Sequence, residues 1–235
     1  MQKSLNFFGT DGIRGKYGDG IINEKFAYNL GLAFAHFLEK KNYGKSKPIL
    51  LAQDTRLSGN KLLTSFGDGL EKREFSVKNL GVLPTPALAF TVINQRALAG
   101  IMITASHNHH EDNGFKIFSG DGRKLSIDDE HSIESFISDN QYSLRKIKRP
   151  LTDVNDHIKA YLSNFSKFFE NDFLAGKKIV IDLANGATNE ITPLCLKSFG
   201  AEVISINQGE GLINDQAGTE FTNGLCEKVL QEKAD

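Results

Sequence analysis

The segment from Thr104 to Lys116 concentrates side chains that could transfer a chemical group. The hydroxyl of Ser106 stands beside the imidazole of His107 and the amide of Asn108, and the ammonium group of Lys116 ends the segment. A hydroxyl next to a proton carrier can act as a nucleophile. These residue types suit phosphoryl transfer, because a transferring phosphoryl group spreads negative charge over three oxygens and needs positioned cations and N–H donors.

Other interpretations of this segment stay open. A polar loop with one serine and three histidines is more often an exposed surface loop than a catalytic centre. A serine hydrolase is disfavoured, because Ala105-Ser106-His107 lacks the Gly-x-Ser-x-Gly elbow. A zinc site at His109 and His110 is also disfavoured, since consecutive loop residues seldom point at one ion. We expect both of these histidines to face solvent.

Two further loops carry residue types that bind anions. In the glycine-rich segment Gly9–Gly15, backbone N–H groups can approach an anion and Arg14 adds a guanidinium group. A plain turn between extended segments is the competing interpretation. The loop Asp54–Gly59 is better explained structurally, by an Asp54–Arg56 ion pair and a helix that Ser58 caps.

Hydrophobic periodicity predicts alternating strands and helices that position these loops. Segment 24–41 forms an amphipathic helix with Asn23 as its cap, and the run 98–104, rich in apolar side chains, forms a fully buried strand directly before the Ser106 loop. Further strands are predicted at 48–52, 75–80, 115–118, 178–183 and 201–206, and further helices after Ser58, at 85–95, after Ser126, from Val154, at 188–199 and at 222–233.

The predicted elements divide into two α/β domains. Residues 139–150 have no periodic apolar face and end in Pro150, so the first domain is predicted at 1–150 and the second at 151–235. The second contains only two clear strands, which is few for an independent α/β layer. We therefore expect a complete first α/β domain followed by an incomplete second one.

Composition narrows the class of protein. The chain has 28 Lys and Arg residues against 29 Asp and Glu residues, so it lacks the basic field that nucleic-acid binding needs. No segment predicts a signal peptide or a membrane span, and two cysteines, Cys195 and Cys226, are too few for a disulfide framework. These features favour a cytoplasmic enzyme without a nucleic-acid or membrane partner, and both cysteines are expected to be small buried hydrophobes.

The chain contains, in this order, the motifs Phe8–Gly15, Asp54–Gly59, Pro84-Thr85-Pro86, and Thr104–Asn108 followed by Asp112–Lys116. These four motifs make the chain similar to the alpha-D-phosphohexomutases. Within that superfamily, the first motif together with Phe118–Leu125 most resembles the bacterial phosphoglucosamine mutases. The resemblance implies a mixed-sheet α/β/α first domain and an incomplete second α/β domain.

The resemblance also implies roles for individual residues. Ser106 would carry the transferable phosphate as phosphoserine and supply one ligand to a catalytic Mg²⁺ ion. Arg14, His107 and Lys116 would surround this phosphate, with His107 or Lys116 transferring a proton. Thr10 and Asn108 would support the phosphate site.

The implied reaction interconverts glucosamine 6-phosphate and glucosamine 1-phosphate through a bound bisphosphate, for amino-sugar nucleotide and cell-wall synthesis. The partner is thus a phosphorylated amino sugar, and a homodimer of the complete enzyme is left open. Phosphoglucomutase or phosphomannomutase activity, or a noncatalytic phosphosugar-binding or interaction module, are the alternatives.

The chain departs from the family pattern in two places. His109 replaces the usual proline after His-Asn, which removes a constraint on φ, and His110 and Glu111 replace common aromatic residues. The acidic metal loop of the family should begin after Asp235, so we expect the remaining Mg²⁺ ligands there. Mg²⁺ demands near-octahedral oxygen ligands, and residues 1–235 alone are therefore expected to have negligible mutase turnover.

Overall fold

The computed structural model describes residues 5–138, 140–143, 149–152 and 155–235, and the chain forms two compact units. The first unit is Met1–Ala105 with Glu111–Asp153. The second unit is Val154–Asp235 together with Ser106–His110, the centre of the loop that the sequence singled out. The two units are each built around their own sheet.

The first unit contains a five-stranded sheet in the order β1-β5-β4-β2-β3. Strand β2 runs parallel to β3 and β4, whereas β5 runs antiparallel to β4 and β1, which confirms the predicted mixed sheet. The strands are β1 (Ile13–Lys16), β2 (Ile49–Gln53), β3 (Val77–Val82), β4 (Ala99–Ile103) and β5 (Asp112–Ser119), and the helices are α1 (Glu24–Lys40), α2 (Gly59–Glu71), α3 (Thr85–Asn94) and α4 (Ile127–Glu134).

Helices cover both faces of this sheet. Alternate strand residues such as Ile49 and Leu51 join the hydrophobic core that α1 and α2 complete. On the opposite face, Gly100 of β4 leaves room for Leu88 and Val92 of α3, whose side chains a Cβ at this position would touch. Because side chains alternate along a strand, residues of β4 and β5 on this second face share it with α3.

The first residues of three helices test the N-caps that the sequence predicts. Asn23 and Ser126 cap α1 and α4 as predicted, each accepting a hydrogen bond from a backbone N–H of the first turn. Ser58 holds the N-cap position of α2, as predicted, but its side chain makes no capping hydrogen bond. Ser58 has helical backbone angles, and its hydroxyl accepts a hydrogen bond of 2.8 Å from the side-chain amide of Asn113 on β5 instead.

A buried ion pair lies at the end of β2, as the structural interpretation of this loop predicted. The Nε of Arg56 lies 3.0 Å from Oδ2 of Asp54, and the two side chains are 0% and 4% exposed. The hydroxyl of Thr104 donates a 2.6 Å hydrogen bond to the same carboxylate. Arg56 also donates to the carbonyl of Asp112, so the pair links β2 to the ends of β4 and β5.

We expect Thr104→Val to lower the free energy of unfolding by about 2 kcal/mol, because it removes a donor from a buried carboxylate without changing side-chain volume. The control is Thr91→Val, whose hydroxyl donates only to the carbonyl of Ala87 within α3. Urea unfolding followed by circular dichroism measures both. Equal stability losses in the two variants would contradict this role of Thr104.

The last residues of the first unit are tied to β3. The backbone N–H of Thr152 donates to the carbonyl of Asn79 over 2.8 Å, and Leu151 forms a β-bridge with the same residue. Arg149 pairs with Asp68 of α2 at 2.9 Å. These contacts are made by residues 149–152, which flank the domain boundary that the sequence predicted at residue 150.

The second unit has a two-stranded parallel sheet of β6 (Lys178–Asp182) and β7 (Glu202–Ile206), each within one residue of the predicted strand. Helices pack around it as expected from the periodicity. They are α5 (Asn155–Phe165), α6 (Ile191–Ser198) and α7 (Asn223–Glu232), with a short 3-10 helix at Gly218–Glu220. In the part of the chain that the structure describes, no helix has the length and apolar character needed to cross a membrane.

Candidate active site

Ser106 lies in the loop that connects β4 to β5, and its side chain is exposed. Its φ angle is 58°, in the left-handed region that residues other than glycine seldom occupy. Backbone strain of this kind costs of order 1–2 kcal/mol and concentrates at functional sites. The loop therefore contains an exposed serine on a backbone that other contacts must hold in place.

One of those contacts comes from Asn214, a residue that the sequence analysis did not single out. Its side-chain amide nitrogen donates to the carbonyl of Ser106 over 2.8 Å and to the carbonyl of Asn108 over 2.9 Å. An asparagine in a polar loop gives no periodic or spacing signal, and it lies 106–108 residues along the chain from its partners. Only the fold identifies this contact.

Arg14 and Lys116 lie on one face of the first unit's sheet. Arg14 of β1 is in register with Gly114 of β5, and Lys116 follows Gly114 by two residues, which returns its side chain to the same face. This is the face of α3, because the intervening Phe115 belongs to the core on the other side. The register thus brings together two of the predicted site residues.

The guanidinium group of Arg14 retains hydrogen-bonding capacity. Its Nη2 pairs with the carboxylate of Asp11 over 3.3 Å, and the side chain is 18% exposed. Its Nε is buried and has no hydrogen-bond partner among the described residues. A buried N–H without a partner costs free energy unless a ligand satisfies it, and the planar guanidinium group suits a phosphate oxygen.

The pKa of Lys116 is lowered from its ordinary value. Burial of the amine is the larger cause and the positive charge of Arg14 adds to it, whereas Asp11 acts in the opposite direction. A lysine with a lowered pKa holds the neutral amine over a wider range of pH, and the neutral amine can accept a proton. Lys116 is therefore suited to proton transfer.

Arg14→Met is expected to raise the pKa of Lys116, because it removes a positive charge that disfavours protonation and leaves Asp11 to attract the ammonium group. The pKa should stay below the ordinary lysine value, since the burial remains. An NMR titration of isotope-labelled lysine side chains measures the change. Lys16, whose pKa is raised by its pairing with Glu111, is the internal control and should not follow. An unchanged Lys116 would contradict the coupling.

A cavity of about 250 Å³ in the first unit opens beside Lys116. Its lining includes Asp11, Thr85 and Lys124. The ammonium group of Lys124 donates to the backbone carbonyl of Thr10 over 2.7 Å and pairs with the buried Glu130 at 3.2 Å. The backbone of Thr10 is thus anchored to α4 through Lys124, and the side chain of Thr10 is exposed.

The remaining residues considered in the sequence are three histidines of the Ser106 loop and the two cysteines. His107 and His109 are exposed, and His110 is half-buried with its ring 4.0 Å from that of His109. Cys195 is partly buried, and burial raises the pKa of its thiol. Cys226 is exposed, so the expectation that it packs as a buried hydrophobe was wrong: α7 buries none of its residues.

A magnesium site is not assembled by the described residues alone. No group of three or more His, Cys, Asp or Glu side chains among them converges on a point that could hold a metal ion. Mg²⁺ needs several oxygen ligands in near-octahedral geometry. One Mg²⁺ ligand is expected from this chain, the phosphate group on Ser106.

Known proteins match the chain over nearly its whole length. A phosphoglucosamine mutase of Shewanella pealeana is 38% identical over 247 aligned positions, which cover 99% of this chain and 53% of that protein. The phosphoglucosamine mutase of Shewanella oneidensis is 37% identical and is covered to 52%. The chain therefore spans about half the length of these curated relatives.

Solved structures share the fold. A putative phosphomannomutase from Thermus thermophilus superposes with a TM-score of 0.80 at 20% identity, over 97% of this chain and 52% of that one. A phosphoglucomutase/phosphomannomutase family protein from Burkholderia thailandensis gives 0.78 at 23% identity, over 97% and 51%. The expected phosphohexomutase fold is confirmed.

The model of one protein family matches residues 5–143, more than half of the chain. It describes the alpha/beta/alpha domain I of phosphoglucomutases and phosphomannomutases, and the mixed sheet with helices on both faces agrees with that description. Together with the sequence relatives, this match confirms the resemblance drawn from the motifs: the chain belongs to the phosphoglucomutase/phosphomannomutase family.

Proposed function

We propose that this chain carries the phosphoryl-transferring serine of a phosphoglucosamine mutase, an isomerase that interconverts glucosamine 6-phosphate and glucosamine 1-phosphate. The observation that carries the proposal is the exposed residue Ser106 on a left-handed backbone, three residues after the end of β4. The choice of sugar rests on the relatives that are 36–38% identical, which bear the name phosphoglucosamine mutase.

In the proposed reaction Ser106 starts as phosphoserine. A hydroxyl oxygen of the sugar phosphate attacks the phosphorus atom, and the bond from phosphorus to Oγ of Ser106 breaks. The bound product is a sugar bisphosphate, and Ser106 receives a proton. After the bisphosphate reorients, Oγ attacks its other phosphate, which restores phosphoserine and releases the isomer. Both esters are phosphomonoesters, so the exchange is reversible and needs no ATP.

Each transfer also moves one proton from the attacking hydroxyl. Lys116 and His107 are the candidates, and the lowered pKa of Lys116 favours it as the base.

Arg14 has an electrostatic role in this proposal. Its unsatisfied Nε and its fork of N–H donors would bind phosphate oxygens as charge develops on them. Thr10, whose backbone Lys124 anchors, and Asn108 would support the phosphate from the two loops. Such donors act best when they are already in place before the reaction.

The proposal extends to cofactor, partner and setting. Mg²⁺ would bind the phosphate of Ser106 and neutralise its charge, and the complete protein would supply the remaining ligands. The partner would be a phosphorylated amino sugar, with a homodimer of the complete enzyme left as a further expectation. The product would feed amino-sugar nucleotide synthesis for peptidoglycan in the cytoplasm.

Phosphomannomutase or phosphoglucomutase activity is the second candidate. The family model carries both names, and the Thermus thermophilus structure is titled a putative phosphomannomutase. The chemistry at Ser106 would be the same, and only the sugar would differ. A noncatalytic phosphosugar-binding module is the third candidate, and it requires no phosphate on Ser106.

The test uses the complete protein that contains residues 1–235. It is incubated with glucosamine 1,6-bisphosphate and Mg²⁺, and the peptide containing Ser106 is analysed by mass spectrometry. We expect the mass of one added phosphoryl group on Ser106, and none in Ser106→Ala. Ser166→Ala, which removes an exposed hydroxyl elsewhere, is the matched control and should gain phosphate normally.

Turnover of three sugar phosphates then separates the candidates. Faster conversion of glucosamine 6-phosphate than of glucose 6-phosphate or mannose 6-phosphate supports the proposal. Preference for either neutral sugar favours the second candidate. Sugar-phosphate binding with no phosphate on Ser106 would overturn the enzyme interpretation in favour of the binding module.

A further inference from the structure

We infer that Asn214 is a positioning residue for the proposed phosphoryl transfer, which holds Ser106 in its left-handed conformation. The inference rests on the proposed function. Asn214 and the segment Ser106–His110 belong to the same compact unit, so the contact is internal to that unit. Asn214 touches the backbone of the loop rather than the reacting atoms.

The geometry of the contact fixes two peptide groups at once. One side-chain nitrogen of Asn214 donates to the carbonyl oxygens of Ser106 and of Asn108, at 2.8 and 2.9 Å. The direction of a residue's carbonyl is set by its ψ angle, so this bond restrains ψ of Ser106. The second bond closes the turn on the other side of His107. Together they oppose the return of Ser106 to an ordinary backbone conformation.

Asn214 is itself held rigidly. Its φ angle is 59°, a conformation that asparagine adopts more readily than most residues, and its backbone N–H donates to the carbonyl of Ala184 over 2.9 Å. The N–H of Ala184 in turn donates to Asp182 at the end of β6 over 2.8 Å. The other carboxylate oxygen of Asp182 accepts a 2.9 Å bond from the N–H of Gly218.

Through these hydrogen bonds, the parallel strands β6 and β7 restrain the loop of Ser106. Asn207 of the loop after β7 donates to Asp182 as well, over 3.0 Å, so both strands contribute. A reacting group must be held within a fraction of an ångström of its productive position, and flexible loops need such support.

Two substitutions at Asn214 test this role. Asn214→Gly removes the amide and leaves the left-handed backbone unstrained, whereas Asn214→Asp keeps the size and sets a negative charge against two carbonyl oxygens. The matched control is Gln216→Gly, an exposed residue of the same loop with φ of 51°. All variants are made in the complete protein that contains the chain.

Two readouts are combined. Hydrogen exchange measured by mass spectrometry reports the opening of Ser106–His110, and rapid quenching reports the rate of phosphate uptake by Ser106 from glucosamine 1,6-bisphosphate. Loss of two hydrogen bonds should change both by about tenfold in Asn214→Gly, and by more in Asn214→Asp. The KM for the sugar phosphate and the midpoint of urea unfolding should stay close to wild type, as should every value for Gln216→Gly.

The outcomes distinguish the inference from the function on which it rests. Faster exchange with slower phosphate uptake supports the inference. Unchanged exchange, or faster exchange with unchanged uptake, overturns it while the proposed function stands. Slower uptake that merely parallels a lowered unfolding midpoint also overturns it, because a general loss of structure then explains the result. Absence of phosphate uptake in the wild-type protein overturns the proposed function instead.

Discussion

Lys116→Met is expected to lower kcat of the complete protein in the proposed mutase reaction by about 10²- to 10⁴-fold, the usual contribution of a positioned acid or base. Methionine keeps the length and apolar stem of the side chain, so the loss reports the amine. The expectation follows from the lowered pKa of Lys116 and from its place beside Arg14 on the sheet face. Steady-state kinetics with glucosamine 6-phosphate measures it.

The pH dependence identifies the form of the amine that acts. If the neutral amine accepts the proton, the wild-type rate falls as pH drops below the pKa of Lys116, and this limb of the profile disappears in Lys116→Met. Lys78→Met, on the exposed side of β3, is the matched control and should retain wild-type rates. Retention of more than one tenth of kcat in Lys116→Met would contradict its role. A large loss in His107→Asn alone would assign the proton transfer to His107.

The second large effect concerns stability. Gly31→Ala is expected to lower the free energy of unfolding by about 3 kcal/mol, because α1 and α2 pack backbone to backbone at this position. A Cβ on Gly31 would lie 3.1 Å from the carbonyl carbon of Phe66 and closer still to its oxygen. Across the same contact, a Cβ on Gly69 would lie 2.8 Å from the backbone nitrogen of Leu32.

The sign of this effect is informative, because helix propensity acts against it. Alanine favours a helix over glycine by about 1 kcal/mol, so the steric cost must exceed that gain. Gly44→Ala is the matched control, since a Cβ there meets nothing within 4 Å, and it should change stability by less than about 0.5 kcal/mol. Urea unfolding followed by circular dichroism compares the two. A Gly31→Ala variant as stable as the control would contradict this role of Gly31, because α1 and α2 would then move apart without a measurable loss of stability.

Local patterns account for most of the secondary structure. The 24–41 periodicity matches α1 to within a residue, and Asn23 caps it because its side chain is the nearest acceptor for the first free N–H groups. The ion pair of Asp54 and Arg56 was equally predictable, since its partners are two residues apart. Interactions within a few residues depend little on the rest of the fold.

Other features needed the tertiary structure. Strand β1 is four residues long with a glycine and two cations, so no alternation marked it, and it forms only because β5 offers an edge. Ser58 holds the predicted N-cap position of α2, but its hydroxyl accepts a hydrogen bond from the side-chain amide of Asn113 on β5 instead of capping the helix. In both cases a distant partner outweighed a weak local preference.

By itself, the sequence determined the order of strands and helices, the family, and the residues able to do chemistry around Ser106. Only the tertiary structure decided which of them meet: strand register put Arg14 and Lys116 on one face, and the fold of the second unit brought Asn214 to the carbonyls of Ser106 and Asn108. The physical reason is that side-chain periodicity is a local property of the backbone. Pairing between residues far apart in the chain depends on register and packing, which no single segment contains.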